Sequence, residues 1–144
     1  MTTTLSDKAA FVRGALAELE AIPQSSLDVF LEDRRNLPSA LHWIQTAIQA
    51  LLDIGLLVVS ERGLPTPRTS LEVLERLESE RLLPDGTAAR FRPVIGFRNR
   101  IVHLYDRVEP AIVLRILTED REDLRELLGL LLDAAAKVQG GATG

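Results

Sequence analysis

The sequence predicts an all-α protein, a bundle of about five to six helices around one core. Three features of the composition indicate this fold class. The chain has 144 residues, which suits a single domain, and 46% of them are hydrophobic, which is enough to build a core. Leucine and alanine dominate, aromatic residues make up only 4%, and stretches rich in β-branched residues are few. Such a composition favours helices that pack through aliphatic stripes.

The N-terminal part predicts a long helix followed by a short one. Apolar residues recur at helical spacing over residues 5–22, where Ser6 is a suitable N-cap and Pro23 ends the helix. The polar segment at 25–28 can cap a short second helix that reaches about Arg34. We expect two separate helices, because Pro23 cannot continue the first one.

The longest helical pattern lies in the middle of the chain. It starts at Ser39, with Pro38 at or near its first turn, and stops at Gly63. We expect this helix to be the backbone of the bundle. The prolines of the following loop forbid its continuation, and Thr69 or Ser70 then caps a helix to about Leu82.

The C-terminal half predicts three further helices. Residues 87–105 form the first, in which Pro93 either produces a kink or marks a late start. A short helix follows at 109–117, and the leucines of 124–132 mark the last helix. We therefore expect one helical domain over residues 1–139 and a disordered tail at 140–144.

Several features predict a cytoplasmic protein without a membrane segment. The chain has no cysteine, and its N-terminus lacks a basic region followed by an apolar run. The longest apolar run, residues 54–59, is far shorter than the roughly 20 residues that span a bilayer. His42 has no further ligand at suitable spacing, so we expect neither a metal site nor a cofactor.

The charge of the chain is unevenly distributed. A formal net charge of −4 argues against a protein that coats nucleic acid. The segment from Arg90 to Arg107, however, contains five arginines and only one acidic residue, Asp106, which gives it a net charge of +4. Either this segment binds an anion, or its arginines pair with acidic residues elsewhere in the fold.

This segment contains Arg98, His103 and Tyr105, which lie within two helical turns of one another. At about 100° per residue, Arg98 and Tyr105 share one face of a helix, whereas His103 shares a second stripe with Asn99. In an ideal helix, the side chains of Arg98 and His103 cannot both contact the same substrate atom. This indicates a helix end, a distortion at Gly96, or a partner protomer that completes the site.

An arginine and a histidine suit the cleavage of RNA without a metal ion. The arginine stabilises the negative charge that develops at phosphorus, and the histidine moves a proton between the ribose 2′-OH and the leaving group. The Arg-x4-His spacing of Arg98 and His103 is by itself weak evidence for a catalytic site, since a surface arginine and a helix-terminal histidine often have this spacing by chance.

A longer pattern around these residues is more specific. Gly-Phe-Arg-Asn-Arg-Ile-Val-His-Leu-Tyr at 96–105 resembles the Gly-Phe-Arg-Asn-x-x-Val-His-x-Tyr signature of the HepT-like branch of the HEPN superfamily. Residues 43–54 are similar to that family's Leu-Gln-x-Ala-Ile-Gln-x-x-Ile-Asp-Ile helix, and Gly-Leu-Pro at 63–65 is similar to its following loop. The resemblance covers roughly residues 25–135.

The resemblance implies a function, a partner and a set of site residues. It implies a HEPN-type up-and-down bundle that forms a homodimer and acts as a metal-independent endoribonuclease, possibly on tRNA, with Arg98 and His103 as catalytic residues. It implies a toxin of a type VII-like toxin–antitoxin system, with a minimal nucleotidyltransferase, MntA, as antitoxin that transfers AMP to Tyr105. Asn99 would be a polar positioning residue.

Further residues are expected to support this site. Asp53 lies mid-helix among apolar neighbours, and we expect it either to orient Arg98 or His103 across the bundle or to be an ordinary exposed aspartate. Arg92, Arg100 and Arg107 are the candidates for RNA binding, because their positive charges would attract the phosphates of the substrate to the arginine-rich segment.

A rival function belongs to a different class. The chain could be a non-catalytic helical subunit that presents substrate or nucleotide to a partner nucleotidyltransferase. The presence of Arg98, His103 and Tyr105 together favours the ribonuclease, because a pure adaptor does not need these three side chains.

Overall fold

The regular secondary structure of the described residues is helical. The structure is a computed structural model that describes residues 3–103 and 108–143, with side chains described for 4–101 and 108–140. The helices are α1 (Thr3–Ala21), α2 (Leu27–Glu32), α3 (Asn36–Arg62), α4 (Ser70–Ser79), α5 (Thr87–His103), α6 (Pro110–Arg115) and α7 (Arg121–Thr143), with a π-helical segment (Ile116–Asp120) between α6 and α7. The predicted all-α fold is confirmed, since the described residues contain no strand.

The central helix is α3, which contacts all six other α-helices. By length and composition alone α3 could span a membrane, but 56% of its most apolar window is buried inside the bundle. Its apolar character is therefore explained by packing on several sides. A neighbour approaches α3 closely at Gly55, where an added Cβ would lie 2.6 Å from Cγ1 of Val73 on α4.

The start of α3 differs from the prediction, whereas its end does not. α3 begins at Asn36, three residues before Ser39, because the Asn36 side-chain amide donates a buried hydrogen bond of 3.0 Å to the Phe30 carbonyl of α2. Pro38 fits in the first turn, where its missing N–H has no helical partner to lose. Gly63 ends the helix with a φ of 74°, as predicted.

The end of α4 was predicted too late. Thr69 is the N-cap, and its hydroxyl accepts a hydrogen bond of 3.1 Å from a backbone N–H of the first turn. The helix ends at Ser79 and not at Leu82, because Arg81 adopts a φ of 59°, which a right-handed helix does not allow. The Leu82 N–H then donates back to the Leu77 carbonyl at 2.9 Å and closes the turn.

The start of α5 lies before Pro93, so the late start was wrong. α5 begins at Thr87 and continues through Pro93, which is exposed. The Glu78 carboxylate of α4 accepts hydrogen bonds from the backbone N–H groups of Gly86 at 3.1 Å and Ala88 at 2.8 Å. These bonds satisfy donors that the first turn of a helix leaves unpaired, which fixes the start upstream of the proline.

The C-terminal helices form one continuous track. α6 ends at Arg115, slightly before the predicted position, and the π-helical segment leads without a break into α7. When α6, the π-helical segment and α7 are counted as one continuous helix, the described residues form six helices. The helix reaches Thr143, but side chains from residue 141 on lie outside the described residues, and the disorder of 140–144 stays a prediction.

Candidate active site

Arg98 lies half-buried on α5 and reaches across to α3. Its Nη2 donates to the side-chain oxygen of Gln49, and its Nη1 donates to the Asn99 side-chain oxygen at 3.3 Å. Its Nε is buried and has no hydrogen-bond partner among the described residues. Both of its acceptors are neutral amides, so within the described part of the chain no carboxylate compensates the guanidinium charge directly.

Behind Arg98, the polar contacts continue to α1. The Gln49 amide nitrogen donates to Oδ1 of Asp53 at 2.9 Å, and Lys8 Nζ lies 2.9 Å from Oδ2 of the same carboxylate. The side chains of Lys8 and Asp53 are 39% and 29% exposed. The structure thus connects Asp53 with Arg98 through Gln49, and three helices contribute to this arrangement, which we call the Arg98 network (Lys8, Asp53, Gln49, Arg98 and Asn99).

An open groove of about 370 Å³ lies beside the Arg98 network, between α1 and α3. Lys8, Gln49 and Asp53 form its polar side, and Phe11 forms part of its apolar side. Phe11 is 42% exposed, and its ring centroid lies 6.3 Å from that of Trp43. Polar and apolar groups therefore meet solvent next to Arg98.

Three of the predicted site residues carry side chains that fall outside the described residues: His103, Tyr105 and Arg107. The backbone of His103 is described as part of α5, and the residues that follow it, 104–107, lie outside the described residues. Of the three routes by which Arg98 and His103 could approach one atom, a distortion at Gly96 finds no support, since α5 is continuous there. The other two routes, a helix end after His103 and a partner protomer, stay predictions.

The remaining arginines of this segment differ in their partners. Arg90 binds the carboxylates of Glu126 and Asp123 on α7 at 2.7–2.9 Å. These hydrogen bonds raise the pKa of Arg90 above its ordinary value and lower the pKa of the Glu126 carboxyl. Arg92 and Arg100 are exposed, and neither forms an ion pair with another described residue. Arg90 is therefore structural, whereas Arg92 and Arg100 retain free charge.

A second groove, of about 390 Å³, follows the other side of α5. Arg100 lies there with its guanidinium carbon 5.5 Å from the Phe97 ring centroid, opposite Arg115 and Asp120. Burial, with a smaller contribution from Asp123 and Glu119, raises the pKa of the Asp120 carboxyl above its ordinary value. In residues 3–103 and 108–143, no three His, Asp or Glu residues are grouped so that they could hold a metal ion.

Sequence reasoning missed two members of the Arg98 network, Gln49 and Lys8. A signal for Gln49 was available, since it precedes Asp53 by four residues and so lies on the same stripe of α3. No local signal points to Lys8, which is 45 residues away from Asp53 in the chain. The contact between them depends on the packing of α1 against α3.

The chain is thus an all-α bundle in which α5 carries an arginine that no described carboxylate compensates and, five residues further on, a histidine. The protein-family model described as "Ribonuclease HepT-like" matches residues 12–131. The chain belongs to the HepT-like ribonuclease family.

Individual relatives agree with this family. The chain is similar to the tRNA nuclease HepT of Aphanizomenon flos-aquae, with 28% identity over 95 residues, which are 66% of this chain and 65% of that protein. Its fold is similar to the tri-AMPylated HEPN toxin of Shewanella oneidensis in complex with its MNT antitoxin (TM-score 0.81, 19% identity, 91% of this chain and 98% of that one). It is also similar to a toxin–antitoxin structure with AMP-PNP (TM-score 0.80, 18% identity, 91% and 99%).

Proposed function

We propose that this protein is the toxin of a toxin–antitoxin pair, a cytoplasmic endoribonuclease that cleaves RNA without a metal ion. The observation that carries the proposal is Arg98: it is held by neutral amides, its charge is not paired with a described carboxylate, and it stands in the Arg-x4-His pattern inside the family match. The similarity to a tRNA nuclease supports tRNA as the substrate class.

The reaction is a transfer of phosphorus from one ribose oxygen to another. The 2′-OH loses its proton, O2′ attacks the adjacent phosphorus, the bond from phosphorus to O5′ breaks, and O5′ gains a proton. The products are a 2′,3′-cyclic phosphate and a free 5′-OH. In this proposal His103 moves the protons, and Arg98 stabilises the additional negative charge on the phosphoryl oxygens.

The exposed arginines of α5 fit a role in holding the RNA backbone. Arg92 and Arg100 are free of ion pairs among the described residues, and Arg107 follows in the sequence. Each cation near a phosphate adds affinity that falls with salt concentration. An acidic protein can bind RNA through such a local surface, while the rest of its surface remains negative.

We further propose that a cognate MntA-type nucleotidyltransferase silences the toxin by adenylylating Tyr105. The phenol oxygen would attack the α-phosphorus of ATP, pyrophosphate would leave, and the phenol would lose its proton. The added phosphate and adenine would compete with RNA for Arg98, because Tyr105 follows Arg98 by only seven residues in the chain. The tri-AMPylated Shewanella oneidensis toxin supports this form of control.

A cleavage assay tests the ribonuclease. Purified protein is incubated with tRNA in EDTA, and the product ends are identified by mass spectrometry. We expect 2′,3′-cyclic phosphate ends, and a loss of at least about 100-fold in rate for Arg98→Ala and for His103→Ala. His42→Ala is the matched control, since the chain has only two histidines. Unchanged cleavage by His103→Ala would contradict the proposed roles.

Intact mass tests the modification. When the protein is co-produced with its antitoxin, we expect mass gains in steps of about 329 Da, one for each AMP added. Tyr105 is the only tyrosine of the chain, so Tyr105→Phe removes every phenol. Steps that persist in Tyr105→Phe would show that another residue carries the AMP.

A further inference from the structure

We infer that Gln49 is the positioning residue for Arg98 and that Asp53 and Lys8 hold Gln49 in its working orientation. The inference rests on the proposed ribonuclease function and adds two residues, Gln49 and Lys8, to Asp53, which acts on Arg98 through Gln49. The observation that supports it is the unbroken series of contacts from Lys8 on α1, through Asp53 and Gln49 on α3, to the Arg98 guanidinium on α5.

Gln49 restricts Arg98 without neutralising it. A guanidinium has five N–H groups in a rigid plane, and here Gln49 and Asn99 each occupy one of them. Nε is buried, so the second N–H of Nη1 and the second N–H of Nη2 remain for the phosphoryl oxygens. A carboxylate at position 49 would hold the arginine equally well, but it would compensate the charge that the phosphate needs. A neutral acceptor is therefore the suitable group at this position.

Asp53 determines which end of the Gln49 amide faces Arg98. An ionised carboxylate accepts hydrogen bonds and donates none, so the amide NH₂ of Gln49 must face Asp53, where it lies 2.9 Å from Oδ1. The amide oxygen then has to point the other way, toward Arg98. Because Gln49 and Asp53 are one helical turn apart on α3, the rigid helix keeps their spacing constant.

Lys8 completes the arrangement from a different helix. Its ammonium group contacts the Asp53 oxygen that Gln49 does not use, at 2.9 Å. The positive charge of Lys8 offsets the negative charge of Asp53, so that Asp53 does not draw Arg98 into a direct ion pair. Lys8 is also half-exposed, so its removal changes the electrostatics with little effect on packing.

The test variant is Gln49→Met, which keeps the length of the side chain and removes the amide. We expect kcat for tRNA cleavage to fall about 10- to 100-fold, because a misplaced reacting group costs rate, while KM changes less than about threefold. In an Arg98→Lys background, which lacks the rigid fork, Gln49→Met should cost less than about twofold, since it acts only through Arg98. Gln139→Met on α7 is the matched control.

Lys8→Met serves as a second, surface variant and should lower kcat about three- to tenfold with an unchanged unfolding transition. Full kcat in both Gln49→Met and Lys8→Met, with Arg98→Ala inactive, would overturn the inference and leave the ribonuclease intact. An equal loss of rate from Gln49→Met in the wild-type and Arg98→Lys backgrounds would also overturn it. Wild-type protein that cleaves no RNA would overturn the proposed function and this inference together.

Discussion

The arginines of α5 belong to one helix, yet their surroundings assign them different roles. Arg90 is bound to two carboxylates of α7, so it joins helices and has little charge left for a ligand. Arg98 meets only side-chain amides among the described residues, which hold its plane and leave its charge uncompensated. A count of arginines in the sequence does not distinguish these two situations, because the partners come from distant segments.

Gly55 shows how strongly one position can constrain the bundle. A Cβ at this position would lie 2.6 Å from Cγ1 of Val73, a buried, β-branched residue that cannot move aside by rotation. Gly55→Ala should therefore lower the free energy of unfolding by about 1–3 kcal/mol in urea titrations.

The matched substitution for Gly55 is Gly14→Ala in α1, where an added Cβ meets nothing within 4 Å. This change should raise the free energy of unfolding by up to about 1 kcal/mol, the usual advantage of alanine over glycine in a helix. If both substitutions changed the free energy of unfolding in the same direction, the close approach of α3 and α4 at Gly55 would not be the cause of the change.

The site residues differ in how far the sequence could predict them. Arg98 and Asn99 stand in one short pattern, and their proximity follows from being consecutive in the chain. The pairing of Asp53 with Lys8 requires the packing of α1 against α3, which no local pattern reports. For His103 and Tyr105 the roles rest on the sequence pattern, since their side chains lie outside the described residues.

Helix boundaries in this molecule depend on groups that lie outside the helix concerned. α5 starts where Glu78 of α4 accepts the N–H groups of Gly86 and Ala88, and α3 starts early because of the Asn36 side chain. Stops that depend on the residue itself, such as Gly63, were predictable, whereas the early start of α3, which depends on a contact with α2, was not. At Pro93 the contacts of Glu78 decide against the late start, one of the two alternatives, and in favour of a helix that begins at Thr87.

Glu78 should make stability depend on pH in a defined direction. Its hydrogen bonds from the start of α5 lower the pKa of the carboxyl from its ordinary value of 4.5. A carboxyl with a lowered pKa in the folded state stabilises the fold above its unfolded pKa, and this contribution is lost as the pH falls through the folded pKa. Glu78→Gln should thus unfold at a lower temperature than wild type at pH 7, with the difference shrinking below about pH 4.5.

The control for Glu78 is Glu75→Gln, which changes an exposed carboxylate on the same helix. Thermal unfolding followed by circular dichroism between pH 3 and pH 8 measures both variants. A difference from wild type that stays constant over this range in Glu78→Gln would show that the carboxylate charge does not cap α5.

Considered as a whole, the bundle uses α3 both as its core and as part of its site. One set of α3 side chains is buried against the other helices, while Asp53 contacts Lys8 of α1 and Gln49 contacts Arg98 of α5 beside an open groove. The reactive surface is therefore supported by the most buried helix of the protein. Such support restricts side-chain positions better than a loop does, which suits a site that relies on orientation without a metal ion.

The predicted dimer can be tested through the site itself. Arg98 and His103 lie on different stripes of α5, so each active site could combine Arg98 of one protomer with His103 of its partner. Arg98→Ala and His103→Ala proteins, each inactive alone, are then mixed in equal amounts after reversible unfolding. Random pairing makes about half of the dimers mixed, and each mixed dimer has one intact site of two, so about a quarter of the wild-type rate should return. Rate recovery at this level supports a shared site, whereas a mixture that stays inactive, although mixed dimers form, places both residues of each site in one protomer.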